Sequence, residues 1–239
     1  MKERLTGVAE HLDESGHDEA ELRRSLEQVA DVNRFLGGTR TAICAVESLL
    51  PGPGPGTILD VGCGSGDIDA ALATHMAERG RDVRITAFDL HPQIIALAEE
   101  RLRGTPGATL VRGNALALPF RDGAYDVAMM SLTLHHFEDD APVQVLRELG
   151  RVARAVVIND LERNWQNYAG ATLLAHTLWA RNRLTRHDGP LSVKRAFTAS
   201  ELTSMARSAG LRDVRVRRRF FYRLVLTARS DAPAERSVV

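Results

Sequence analysis

The chain has 239 residues, 44% hydrophobic, 26% charged and 5% aromatic. That is a globular balance, which excludes collagen-like, low-complexity and wholly disordered chains and suffices for one core plus an elaboration. Its 31 basic and 31 acidic residues cancel, which argues against a general affinity for nucleic acid or membrane, and two cysteines, Cys44 and Cys63, exclude a disulfide framework or a four-cysteine zinc site.

The first residues carry acids where a secretion signal would be apolar, and no apolar run approaches the roughly 18 to 20 residues of a membrane-spanning helix, so a soluble cytoplasmic protein is expected. Charge is unevenly spread. Residues 1–33 hold nine acids against four bases, and residues 181–229 hold thirteen bases against three acids.

In chain order, Leu22, Leu26, Val29 and Leu36 fall at helical spacing and a second apolar stretch runs from Thr41 to Leu50, so residues 1–51 read as a helical arm that hints at a homodimer contact. The alternating prolines and glycines of 51–56 forbid both helix and ladder and mark its end. Beyond them, β-rich runs at 57–61, 83–90, 108–113, 125–132 and 154–160 alternate with helices starting near Asp67, Pro92 and Ala141. Such alternation needs crossover connections, hence a mostly parallel sheet covered on both faces. Pro92 suits a first helical turn, where its missing N–H has no partner to lose.

Residues 161–197 interrupt the pattern with a long helical stretch that belongs to no strand–helix unit, a cap over the C-terminal edge of the sheet. Residues 198–229 return to the core. Thr198 and Glu201 predict a capping box, Phe197 and Leu202 a hydrophobic staple, and Gly210 a helix stop. Two strands over 214–219 and 221–228 close the sheet before a polar tail, 230–239. In the first of them Arg215, Arg217 and Arg219 alternate with Val214 and Val216, as on the two faces of an edge strand; the competing reading is a patch for nucleic acid or an acidic partner.

The sharpest chemical signal is Asp60-Val61-Gly62-Cys63-Gly64-Ser65-Gly66-Asp67, between an apolar strand and a helix. Glycines there let the backbone turn tightly and approach a ligand. A dinucleotide fingerprint would need glycine where Asp67 stands, and a phosphate-gripping loop would need Gly-Lys-Ser/Thr. Acids at both ends of the loop repel an anion, so the ligand is cationic or zwitterionic. Cys63 is expected as a small buried filler.

This loop resembles motif I of the class I S-adenosylmethionine-dependent methyltransferases, and later segments match in order. The resemblance implies a Rossmann-like, seven-stranded, mostly parallel α/β sheet with helices on both faces, here with the N-terminal helical arm and the helical cap inserted after strand five. It assigns Asp60, Gly62, Gly64 and Gly66 to the cofactor, and Asp89 with neighbouring Leu90 to the ribose hydroxyls, where an ionised carboxylate makes charge-assisted bonds. Gly113-Asn114-Ala115-Leu116 is similar to the adenine-binding segment, with Asn114 in place of the commoner Asp; its amide oxygen can still accept a proton. Ser131 and the run that follows look like the fourth strand of small-molecule methyltransferases related to ubiquinone and menaquinone biosynthesis. Where those have a Pro-Gly-Gly turn before strand five, this chain has Arg151-Val152-Ala153-Arg154, which implies a shortened or reshaped connection.

Leu134, His135 and His136 lie just past a strand end, where open α/β sheets bind ligands. One of the two histidines is a candidate general base, and only one, since neighbours in extended chain point oppositely. Asn164, Trp165, Tyr168 and His187 are the substrate candidates, with Trp179 and His176 as further lining, and the run of Arg181, Arg183 and Arg186 reads as a solvated cap surface or a holder of an acidic or phenolic acceptor. No metal set is recognised.

The expected activity is methyl transfer from S-adenosylmethionine, giving S-adenosylhomocysteine, to the oxygen of a phenolic, quinonoid or polyketide-type small molecule. C- or N-transfer, an RNA methyltransferase acting through the basic strip, a noncatalytic nucleoside-binding protein and a nicotinamide-dependent oxidoreductase are the alternatives.

Overall fold

A computed structural model describes residues 3–14, 16–52, 54–220 and 222–231. Pro53 of the predicted boundary, Phe221 at the head of the last predicted strand and the tail from residue 232 lie outside the described residues.

The arm consists of a 3-10 turn, His11–Asp13, and two helices, α1 (Glu19–Phe35) and α2 (Gly38–Leu49). Asp18 caps α1 by accepting from the Glu21 N–H at 2.9 Å. Only Leu36 and Gly37 separate the two helices: Gly37, at φ +77°, turns the chain, and Gly38 already opens α2, three residues ahead of Thr41.

The core follows as β1 (Gly56–Val61), α3 (Asp67–Glu78), β2 (Val83–Asp89), α4 (Pro92–Leu102), β3 (Ala108–Arg112), β4 (Tyr125–Ser131), α5 (Ala141–Val152) and β5 (Ala153–Leu161). The insertion contributes α6 (Trp165–His176) and α7 (Arg183–Arg195), and the chain closes with α8 (Ala199–Ser208), β6 (Arg212–Arg219) and β7 (Arg223–Arg229). The seven strands lie in the order β3-β2-β1-β4-β5-β7-β6. The first five are parallel, β7 runs antiparallel to β5, and β6 antiparallel to β7.

Strand alternation sends residues to two separate cores. Val127 and Met129 of β4 join Ile58, Ile85 and Val157 under α2 and α3, while Ala128 and Met130 join Leu59, Val61 and Val156 under α5 and α8. Along α5, Val145, Leu146, Leu149 and Val152 are wholly buried at helical spacing, each contributing about 1.5–3 kcal/mol of burial.

Helix α5 passes directly into β5 with no turn residue between them. Arg151 at the helix end donates to the carbonyls of Leu118 and Phe120 and pairs with Glu148 and Asp122, fastening the β3–β4 loop in place. The predicted capping box of α8 forms, and Phe197 and Leu202 are buried in the same core. The helical stretch predicted within 161–197 is two helices: α6 ends at His176, and Asn182 restarts the helix by accepting from the Thr185 N–H. Strand β6 is an edge, with Arg215, Arg217 and Arg219 outward and Val214 and Val216 half-buried. Among the described residues no helix is long and apolar enough to cross a membrane.

Candidate active site

Strands β1 and β4 are neighbours from which the sheet is built outward in both directions, so a crevice opens beyond their C-terminal ends. The glycine loop fills this point. Gly62, at φ +77°, packs against Thr133, which a Cβ would strike, whereas a Cβ at Gly64 would meet nothing within 4 Å, so the loop is open to the cleft there. Gly66, at φ +72°, begins α3 with a Cβ position 3.0 Å from Leu102; it shapes the loop from behind and does not line the cleft.

The cleft, about 490 Å³, brings together Asp60, Gly62, Gly64, Asp89, Leu90, Asn114, Ala115 and Ser131. Its dominant chemistry is buried acid. Asp60 is buried with Oδ1 lacking any hydrogen-bond partner. Burial, then the neighbouring carboxylates of Asp69, Asp67 and Asp89, push its carboxyl well above the usual range. Burial and Asp67 likewise raise Asp69 to about 7. Asp67 is raised by burial despite bonds from Asn33 and Ser65.

Asp89 is braced from both sides, Oδ2 accepting from the Gly64 N–H at 3.2 Å and Oδ1 from the His91 N–H at 3.0 Å, which leaves lone pairs on each oxygen. Leu90 is 59% exposed beside it, a free apolar wall. Asn114 Oδ1 accepts from the Leu116 N–H at 2.9 Å, so half of the acceptor capacity expected for a ligand holds its own loop. Ser131 Oγ accepts from Asn159 Nδ2 at 2.9 Å.

A second cavity, about 160 Å³ and mainly apolar, lies under the arm and insertion, lined by Val29, Leu36, Leu174 and Trp179 with Glu10, His135, His136 and Arg223. Leu12, Val29, Leu132 and His136 belong to both cavities and form the wall between them. Leu132 holds φ +53°, a strained conformation for a bulky residue at the junction.

The N-terminal segment closes this region. Arg4 donates to the carbonyls of His135, Phe137 and Arg195, and Asp188 accepts from the His11 and Leu12 N–H groups.

The histidines are not in extended chain. Residues Leu134–His136 form a 3-10 turn, whose tighter winding sets the two rings side by side with centroids 4.5 Å apart, so the argument that they must point oppositely does not hold here. His135 Nδ1 lies 2.7 Å from Asp160 Oδ1, and Asp160 also accepts from the backbone N–H of His135 and of Leu161. Burial works to raise the Asp160 carboxyl, but His135 and these N–H groups prevail and hold it below its usual range, so it is an ionised acceptor. His136 Nδ1 sits 2.8 Å from Asp13 Oδ1. Burial opposes its charge, yet Glu10 and Asp13 outweigh that and lift His136 to about 9.

The substrate candidates fall elsewhere. Asn164 caps α6 through the Asn167 N–H, Trp165 is 65% exposed, Tyr168 lies under the Lys194 ammonium, and His187 stacks on His11 and meets Asp188 at 2.8 Å. None of the four lines the apolar cavity. The reason is helical phase: Gln166, Gly170 and Leu174 face the cavity, which turns Trp165 away.

Trp179 does line it, while His176 bonds back to the Thr172 carbonyl on the surface. The residues that sequence reasoning missed are Glu10 and Arg223. Glu10 was one acid in an acidic stretch, and Arg223 one base in a basic strip; nothing local distinguishes either. Arg223 is 1% exposed, donates to Asn33 Oδ1, leaves Nη1 without a partner, and rests on Gly38, whose Cβ would lie 2.6 Å from its Cζ. Burial is the main cause lowering it to about 10.

Comparison with known proteins agrees with this geometry. The methyltransferase-domain family model matches residues 58–155. A demethylmenaquinone methyltransferase of Bacillus licheniformis is 33% identical over 106 residues, 44% of this chain and 44% of that protein. A 2-phytyl-1,4-naphtoquinone methyltransferase of Synechococcus elongatus is 34% identical over 109 residues, 43% and 45% of the two chains. The chain thus matches less than half the length of these relatives. Among solved structures, a SAM-dependent methyltransferase from Aquifex aeolicus superposes with TM-score 0.63 at 19% identity, covering 89% of this chain and 98% of that one. Human N-acetylserotonin methyltransferase in complex with SAM gives 0.64 at 17%, covering 89% and 56%.

Proposed function

We propose that this chain, which carries a class I S-adenosylmethionine-dependent methyltransferase domain, moves the cofactor's methyl group to the oxygen of a small phenolic or quinonoid molecule and releases S-adenosylhomocysteine. The observation that carries the reading is the cleft at the β1/β4 crevice, whose buried acids surround an open glycine backbone with Asp60 Oδ1 unpartnered. Burial first, and mutual repulsion second, disfavour charge on these carboxyls, and a cationic ligand offsets both, so the cleft fits a sulfonium amino acid.

The cofactor supplies a methyl group that is already electrophilic. The chain's part is placement, which can contribute on the order of 7–11 kcal/mol at best, and management of one proton. Asp60 is assigned to the amino end, with Gly62 and Gly64 as the bare backbone beside it. Asp89, held by the Gly64 and His91 N–H groups, is assigned to the ribose hydroxyls, and Leu90, Asn114, Ala115 and Ser131 to the remainder of the nucleoside. The apolar cavity takes the acceptor, with Arg223 Nη1 as the free donor for an acceptor oxygen. Leu12, Val29, Leu132 and His136, which line both cavities, would lie between the bound cofactor and the acceptor.

Because Asp160 is ionised and accepts from His135 Nδ1, the neutral tautomer of that imidazole turns its lone pair to Nε2, which is assigned as the proton acceptor, worth roughly 10²- to 10⁴-fold. With no metal ion bound, and against the opposing effect of burial, Glu10 and Asp13 raise His136 to about 9, so it carries its proton near neutral pH and favours the developing negative charge on the acceptor. The activities of the related quinone methyltransferases support a small-molecule acceptor. On this reading the protein works in the cytoplasm, and the basic outer face of β6 is a solvated edge rather than a nucleic-acid surface, with Arg218 engaged by Glu162.

The test is label transfer from methyl-labelled S-adenosylmethionine to a panel of phenols and reduced quinones. The expected result is labelled O-methyl product. Label on carbon or nitrogen would change the acceptor atom, and cofactor binding with no product across the panel would favour a noncatalytic binding protein.

A further inference from the structure

Glu10, His135 and His136 bring a carboxylate oxygen and two imidazole nitrogens within 4.8 Å of one another at the wall of the apolar cavity. Glu10 arrives from the N-terminal segment, and the 3-10 turn delivers both rings together. Glu10 Oε1 stands 3.6 Å from His135 Nε2, and Oε2 3.8 Å from His136 Nε2. These separations are too long for hydrogen bonds. The first reaches, and the second, measured from the other oxygen of the same carboxylate, slightly exceeds, the roughly 3.3–3.6 Å between two donors that each sit about 2.0–2.2 Å from one tetrahedral ion.

Two further observations point to a ligand. Glu10 is only 3% exposed, and its Oε1 has no hydrogen-bond partner, although Oε2 accepts from Ser192 Oγ at 2.8 Å. A buried, unsatisfied carboxylate oxygen is costly unless something positive meets it. The opposite ring nitrogens are already held, His135 Nδ1 by Asp160 and His136 Nδ1 by Asp13. Metal-binding imidazoles are oriented in this way, one nitrogen on a carboxylate and the other turned to the ion. Three carboxylates, Glu10, Asp13 and Asp160, therefore face two imidazoles. Arg195 is a nearby cation, but it donates to the Val8 and His136 carbonyls and comes no closer than 3.9 Å to Asp13.

We infer that Glu10, His135 and His136 form a binding site for one divalent transition-metal ion of the zinc class, with a coordination position open to the apolar cavity. Imidazole with a single carboxylate suits zinc, cobalt or their neighbours rather than magnesium or calcium, which take oxygen sets. An ion here would bind an acceptor oxygen directly and lower its pKa, taking over from His135 the task of activating it. That consequence rests on the acceptor reading of the cavity; the metal site stands on its donor set alone.

The experiment uses the full chain, stripped with a chelator and titrated calorimetrically with Zn²⁺, with the visible absorption of bound Co²⁺ as a second readout. The expected result is one ion per chain and a tetrahedral-type cobalt spectrum. Glu10→Gln and His136→Gln should each weaken Zn²⁺ by at least about tenfold, and Asp13→Asn by roughly 10- to 100-fold. Thermal stabilisation by S-adenosylhomocysteine, measured on the same samples, shows that each variant is folded and reports the cofactor cleft separately. No Zn²⁺ uptake by the wild-type chain, or unchanged uptake by folded Glu10→Gln and His136→Gln, would overturn the inference while leaving the methyltransferase reading intact. Zn²⁺ uptake without any response to S-adenosylhomocysteine would do the reverse.

Discussion

The two cavities that meet at His136 are built in opposite ways. The cleft takes its chemistry from short, contiguous segments at the ends of β1, β2, β3 and β4, where strand ends fix a few side chains on one edge. The apolar cavity is assembled from Glu10, Leu36, His135, Leu174, Trp179 and Arg223, spread over most of the chain and joined only when the arm folds across the insertion. The first is an excess of acid around bare backbone; the second is a greasy space with a few buried ionisable groups. On the proposed reading, the difference teaches that cofactor chemistry is local in sequence here and acceptor chemistry is not.

The sharpest way to break that contrast is at the residue that serves the acceptor side alone. Asp160→Asn removes the ionised acceptor that orients His135, and turnover is expected to fall by about 10²- to 10⁴-fold with binding of S-adenosylhomocysteine unchanged. Steady-state kinetics on whichever phenol accepts label, together with a thermal-shift titration, would show whether the two effects separate; joint loss of both would mean that the cavities are not independent. On the cleft side, Asp89→Ala should weaken S-adenosylhomocysteine by roughly 10²- to 10³-fold, the loss of two charge-assisted bonds, and an undiminished thermal shift would remove Asp89 from the ribose.

A pH series sharpens the comparison at the junction. In the metal-free chain His136 is raised from 6.5 to about 9 on folding, so the stabilisation it contributes is complete below pH 6.5 and is lost as pH rises through 9. The upper bound is about 3 kcal/mol. Asp69, raised from 3.8 to about 7, has the same sign over a lower window, its contribution fading as pH rises through 7. Denaturant melts from pH 6 to 9 should therefore show falling stability. Asp13→Asn should flatten the upper part only, and a flat wild-type profile would contradict both assignments.

Smaller again is Gly38→Ala, whose added methyl meets the Arg223 guanidinium and should cost about 1–3 kcal/mol by chemical denaturation. Smallest is Trp165→Ala. With that ring 65% exposed and off the cavity, KM for the acceptor should not move, and a rise would restore it to the acceptor surface.

Much of the fold is legible in the sequence because it is periodic. Alternating β-rich and helical runs imply the parallel sheet, and Thr198 with Glu201 marks the start of α8. Two features escape. The division of the insertion into α6 and α7 depends on Asn182 turning its side chain back onto Thr185, and Pro190 lies inside α7, where a reading of breakers would have ended the helix. In the site, Asp60 is legible because it opens the glycine-rich loop at the end of β1, and Asp89 because it ends β2, where the family resemblance expects an acid. Glu10 and Arg223 are not, because their significance comes from burial by segments about 120 residues or more away, and no local pattern encodes that.

The central claim is that a bare backbone ringed by carboxylates receives a sulfonium nucleoside. Titration calorimetry of the wild-type chain with S-adenosylmethionine and S-adenosylhomocysteine tests it most directly. The account predicts heat and a single site per chain for each; at 100 times its dissociation constant either should add about 2.7 kcal/mol of stability. Absence of binding by both compounds to folded protein would contradict it.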